Sequence, residues 1–117
     1  MAAGIYNPTI DQGSTWSVSL VYKNPSGTPI NLTGYTAKMQ LRKKYDSATA
    51  ALTLATGGQG IVITGATGTI AITATDEQTA TLEPGFYVYD LDLNTGGVIT
   101  RLIQGQVTVS AEVTSNA

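Results

Sequence analysis

The stretch TGYTAKMQLRKK, residues 33–44, decides the fold. Tyr35, Ala37, Met39 and Leu41 fall at every second position, and Thr36, Lys38, Gln40 and Arg42 fall between them. A period of two is the signature of a strand with one buried face. A helix would need apolar residues three and four apart. Working outward, the same alternation recurs. On the N-terminal side, Trp16, Val18, Leu20 and Tyr22 alternate with Ser17, Ser19 and Val21. On the C-terminal side, Tyr87, Tyr89, Leu91 and Leu93 face one way, with Asp90 and Asp92 opposite.

The residues between these runs are turn formers. Asn24-Pro25-Ser26-Gly27 fits a type I turn, with proline pre-setting φ at the second position. Thr53–Thr56 and Gly60–Thr64 read as two short strands, with the GGQG between them as a hairpin loop. Ile70 and Ile72 point inward from GTIAITA, after a small turn bracketed by Gly65 and Gly68. Asn94–Gly97 reads as a four-residue hairpin loop. The run from Val98 to Val109 is too long for unbroken alternation, and Gly105 is the expected bulge. The phase before Gly105 is ambiguous, so Arg101 has no assigned face.

One segment breaks the pattern. Thr75 followed by Gln78 is a capping box, and Asp76 and Glu77 suit a helix N-terminus. A short helical turn near residues 76–82 is expected to cross from one sheet to the other, ended by Pro84 and Gly85. The count is then seven to nine short strands with regular turn signals, the pattern of an all-β sandwich or small barrel. The 117 residues suit a single domain. Residues 1–12 are either an N-terminal arm or the first edge strand. Residues 111–117 form a polar tail expected to fray.

Composition excludes much chemistry. The chain has no cysteine and no histidine. Disulfides, thiolate nucleophiles, cysteine-ligated metals and Ser-His-Asp arrangements are therefore impossible. Charged residues make up 12% and the net charge is −2, against 42% hydrophobic residues. That balance argues against a basic nucleic-acid binder and against disorder. No apolar stretch approaches the length of a membrane span. Met1–Gly4 lacks the features of a signal peptide, so the sequon at Asn31–Thr33 reads as coincidence.

The candidate sites have plain structural alternatives. Asp90 and Asp92 share a strand face, and paired carboxylates can serve glycoside hydrolysis or hold a cation or a sugar. With the large apolar residues on the opposite face, a solvated strand surface is the simpler reading. GGQG and Gly96-Gly97 lack the lysine and following helix of a phosphate loop. Lys38, Arg42, Lys43 and Lys44, flanked by Tyr35 and Tyr45, could grip a single strand of nucleic acid. Edge lysines that discourage aggregation are the simpler account. Trp16 and the alternating tyrosines read as core. No catalytic, cofactor-binding or metal-ligating residue is assigned, and no enzymatic activity is expected.

Two segments carry a resemblance: DQGSTWSVSLVYKNPSGTPINLTGYTAKMQLR (11–42) and GFYVYDLDLNTGGVITRLIQGQVTVSAEVT (85–114). Gln12-Gly13 leads the first strand, Gly27–Tyr35 forms a G-x-P-I-N-L-T-G-Y turn, and Tyr89–Leu91 precedes the G-x-V-x-V of Gly105–Val109. Together they resemble small tailed-phage and prophage virion proteins, and the N-terminal module of phage baseplate upper proteins. The resemblance spans nearly the whole chain. It implies an immunoglobulin-like antiparallel sandwich and a location in the virion, after synthesis in the bacterial host. It implies no catalytic residues. The helical and receptor-binding segments of baseplate proteins have no counterpart here. The expected role is therefore a tail, baseplate or fibre adaptor, or a capsid decoration subunit. Partners would be other virion proteins in symmetric copies, not nucleic acid or membrane. A carbohydrate-binding sandwich is the alternative of a different class, on the tyrosines and Asp90/Asp92. The expected contact residues are Ile5, Tyr6 and Ile10 of the N-terminal run, with Asn24, Pro25 and Pro29 as a second site.

Overall fold

The structure, a computed structural model, describes residues 4–113. The reading of Met1–Ala3 and most of the expected fraying tail, residues 114–117, lie outside the described residues. The fold is an all-β sandwich of two unequal sheets. Its strands are β1 (Gly4–Ile5), β2 (Thr9–Asp11), β3 (Trp16–Val21), β4 (Thr36–Arg42), β5 (Leu52–Ala55), β6 (Ile61–Thr64), β7 (Thr69–Ala74), β8 (Gly85–Thr95) and β9 (Val98–Ser110). The larger sheet runs β1-β9-β8-β4-β5, with β2 also on β9, and the smaller runs β3-β7-β6. A 3-10 turn at Gly65–Thr67 and a helix, α1 (Asp76–Ala80), complete the elements.

The alternation in the sequence becomes the core. Met39, Leu41, Leu54, Leu91 and Leu93 from the large sheet meet Ile61, Ile70, Ile72 and Ala74 from the small one, all buried. Three strands cannot cover six, so the rim of this core stays open. Trp16, Val18, Leu20, Leu102 and Ile103 pack against it only partly buried. Trp16 is therefore a partly buried residue on an edge strand, because among the described residues β3 pairs with β7 alone.

Helix α1 crosses between the sheets as expected. Thr75 Oγ1 accepts from Gln78 N at 3.2 Å, and Thr75 N donates to Gln78 Oε1 at 2.9 Å, the reciprocal capping box. The helix ends at Ala80, short of Pro84, with Thr81 as its C-cap. Thr79 is a buried polar residue with partners for its hydroxyl, which accepts from Gly13 N at 3.1 Å and donates to Ser14 O at 2.8 Å. That ties the helix to the turn leading into β3.

Four expectations are corrected. The GGQG segment is not a hairpin loop, because β5 and β6 lie in different sheets. Ala55 N donates to Gln59 O at 2.9 Å and Thr73 N donates to Gly60 O at 2.8 Å, so the segment steps between sheets. The hairpin between β8 and β9 has a two-residue loop. Thr95 pairs with Val98, and Gly96 (φ 57) and Gly97 (φ 86) adopt the left-handed conformations a type I′ turn requires. The sheet is not wholly antiparallel: β1 and β2 run parallel to β9. A parallel pair needs a long connection, and nearly the whole chain separates these partners.

The fourth correction concerns Gly105, which pairs regularly with Tyr89. The register shifts instead between Leu91, opposite Ile103, and Asp92, opposite Arg101, leaving Leu102 as the extra residue. Gly105 is needed for a close approach. A Cβ there would overlap the Tyr6 carbonyl oxygen and come within 2.6 Å of Asn7 Oδ1. Beside it, the Tyr89 hydroxyl donates to Tyr6 O at 2.6 Å. Burial, with the nearby Tyr6 adding to it, pushes the Tyr89 phenol up to about 12, which keeps it a donor. Tyr89→Phe should therefore cost about 1–2 kcal/mol. Hydrogen exchange should quicken at the Tyr6 amide, which donates to Gln104 O.

Candidate functional site

The outer face of the large sheet gathers most of the polar chemistry. Lys38, Gln40 and Arg42 project outward from β4, and Asp90 and Asp92 from β8, because their neighbours at odd positions are in the core. Arg101 joins them through the bulge. Val107 and Val109 point inward, and unbroken alternation would carry Arg101 inward with them. The extra residue Leu102 reverses the phase. Arg101 then lies across from Asp92, and its Nε sits 3.4 Å from Asp90 Oδ2 and 3.9 Å from Asp92 Oδ1.

A groove of about 280 Å³ opens here, lined among others by Gln40, Arg42, Tyr45, Asp90, Asp92, Arg101 and Gln104. Its walls are held by a planar network. Arg42 donates to Gln40 Oε1 at 3.0 Å and to Ser47 O at 2.7 Å, which pins the loop after β4. Arg101 donates to Gln104 Oε1 at 3.2 Å. Tyr45 stands on the pinned loop with 87% of its surface exposed. A second groove of about 390 Å³, running past Lys38, Asn94 and Ile99, adjoins the first at Asp92.

Asp92 Oδ1 is inaccessible to solvent and, among the described residues, makes no hydrogen bond. Desolvation, then the neighbouring Asp90 charge, raise its pKa above the ordinary carboxylate value, against a lowering by Arg101. An acid with a raised folded-state pKa contributes stability that is full below its unfolded pKa and is lost as pH rises through the folded value. Asp92→Asn should therefore be at least as stable as the parent at neutral pH. The gap between the two melting temperatures should close as pH falls through the acidic range.

The other expected residues are dispersed. Ile5 is 75% and Tyr6 40% exposed on the edge of the large sheet, whereas Ile10 is fully buried. Ile10 pairs beside Val109 and belongs to the core, so it offers nothing to a partner. Asn24, Pro25 and Pro29 are exposed on a loop following β3 of the other sheet. That loop is rigidly built: Asn24 Oδ1 accepts from Ser26 N and Thr28 N, each at 3.0 Å, and Gly27 N closes the turn onto Asn24 O at 2.9 Å. The basic residues do not form one stripe. Lys43 pairs with Glu83, Arg42 is held by the groove network, and Tyr35 faces the core side of β4. Sequence reasoning missed Gln40, Arg101 and Gln104, because only cross-strand register brings them to the aspartates.

No protein-family model matches the sequence, and no curated protein matches it.

Proposed function

We propose that this chain is a non-enzymatic structural component of a bacteriophage virion, a tail, baseplate or fibre adaptor working through protein–protein contacts. The observation that carries the reading is the near full-length resemblance in residues 11–42 and 85–114. The placement of Ile5 is compatible with it: a large apolar side chain, 75% exposed, on a sheet edge. Exposed apolar side chains on an edge strand are an association hazard unless a partner covers them. Asn24, Pro25 and Pro29 supply a second, rigid contact on the other sheet. A capsid decoration subunit is the alternative within the same class.

Mass spectrometry and cryo-electron microscopy of purified particles test the reading. The chain is expected in the particle at a copy number matching a symmetry of the tail, baseplate or fibre. Finding it on the capsid would select the decoration role, and its absence from intact particles would reject both. Ile5→Glu should abolish incorporation while shifting the unfolding free energy by less than about 0.5 kcal/mol, because the side chain is exposed.

A further inference from the structure

We propose that the outer face of the six-stranded sheet binds a neutral saccharide, seated in the groove between Tyr45 and Asp92. Four observations converge. The groove, at about 280 Å³, lies at the small end of ligand sites and has room for a monosaccharide. The adjoining groove at Asp92 gives a longer chain somewhere to continue.

Its lining is planar, polar and pre-arranged. Two carboxylates, two guanidinium groups and two amides stand on three adjacent strands, and Arg42 and Arg101 fix the orientation of both amides. Groups held before binding lose little entropy when a ligand arrives. A ring of hydroxyls, each both donor and acceptor, matches a surface that alternates donors with acceptors.

The charges select against ions. Asp90 and Asp92 offset Arg42 and Arg101, so an anionic ligand meets carboxylates and a cationic one meets guanidinium groups. Among the described residues no group of three or more carboxylates gathers to hold a metal ion.

Asp92 and Tyr45 supply the specific contacts. Asp92 lines both grooves, and its carboxylate is an acceptor for a saccharide hydroxyl there. Tyr45 offers an exposed aromatic face beside these polar groups, where the C–H face of a pyranose ring can stack. The proposal does not depend on a place in the virion, so either reading can fail alone.

The test is a titration of the full, isotope-labelled chain with glucose, galactose, mannose and N-acetylglucosamine, followed by backbone amide shifts. An array of neutral, sialylated and uronic-acid oligosaccharides accompanies it. The expected result is saturable shifts at Gln40, Asp90, Asp92, Arg101 and Gln104 with at least one neutral sugar or oligosaccharide. A shallow site predicts dissociation constants near ~1 mM for a single sugar. Tyr45→Ala and Asp92→Ala should each weaken binding by roughly tenfold or more, a loss of about 1.4 kcal/mol, while Val62→Thr on the other sheet leaves it unchanged. Absence of saturable binding across the whole panel overturns the proposal. So do shifts confined to another surface, tighter binding of acidic than neutral sugars, or a response of Asp90 and Asp92 to calcium alone.

Discussion

Deleting residues 1–10 should remove most of the stability of this fold. The segment supplies β1 and most of β2, which occupy the outer edge of β9. Ile10 is fully buried and Pro8 is buried. Loss of a large aliphatic side chain from a core costs about 2–5 kcal/mol. Each lost hydrogen bond, such as Tyr6 N to Gln104 O and Thr108 N to Pro8 O, adds about 1 kcal/mol. A domain of this size has ~5–15 kcal/mol in all. The truncated chain should therefore melt far below the parent or accumulate as aggregate through the bared edge of β9. Circular dichroism melts of the two chains decide the matter. An unchanged midpoint would make the segment a detachable arm. Ile5→Glu separates the two roles of the segment, since it alters the exposed surface and leaves the strands in place.

Leu91→Ala should cost about 3–5 kcal/mol, the upper range for a leucine whose surroundings cannot collapse. Leu91 is completely buried on β8, the central strand of the large sheet, with Met39 and Ile103 as its cross-strand neighbours. Strands paired on both sides cannot move in to fill the space. The midpoint should fall by roughly 10–25 °C, with little change in the denaturant slope, because the surface exposed on unfolding is nearly the same. Trp16→Ala is a useful contrast. Trp16 is larger but only partly buried on an edge strand, and it should cost less than Leu91→Ala. The reverse order would move the centre of the core from β8 to the β3 edge.

The sequence alone determined everything that depends on local periodicity. Tyr87, Tyr89, Leu91 and Leu93 had to share a face, and so did Ala37, Met39 and Leu41, because side chains alternate along any strand. The capping box at Thr75 and Gln78 and the turn at Asn24–Gly27 were equally legible, since their hydrogen bonds join residues within four positions. What the tertiary structure alone decided is pairing between distant segments. Nothing local in LTLA or IVIT says that β5 and β6 belong to different sheets, as both strands bury one face in either arrangement. Likewise nothing local in the N-terminal run says that β1 and β2 pair in parallel with β9, nearly a hundred residues away. The candidate groove follows the same division. Asp90 and Asp92 could be placed together from their spacing, but Arg101 reached them only through the bulge at Leu102. A bulge is fixed by register against β8 and leaves no mark in the period of β9 itself. Gly105, which looked like that bulge, answers to a chain a hundred residues away. The space around a glycine is set by whatever packs against it, and only the folded chain determines that.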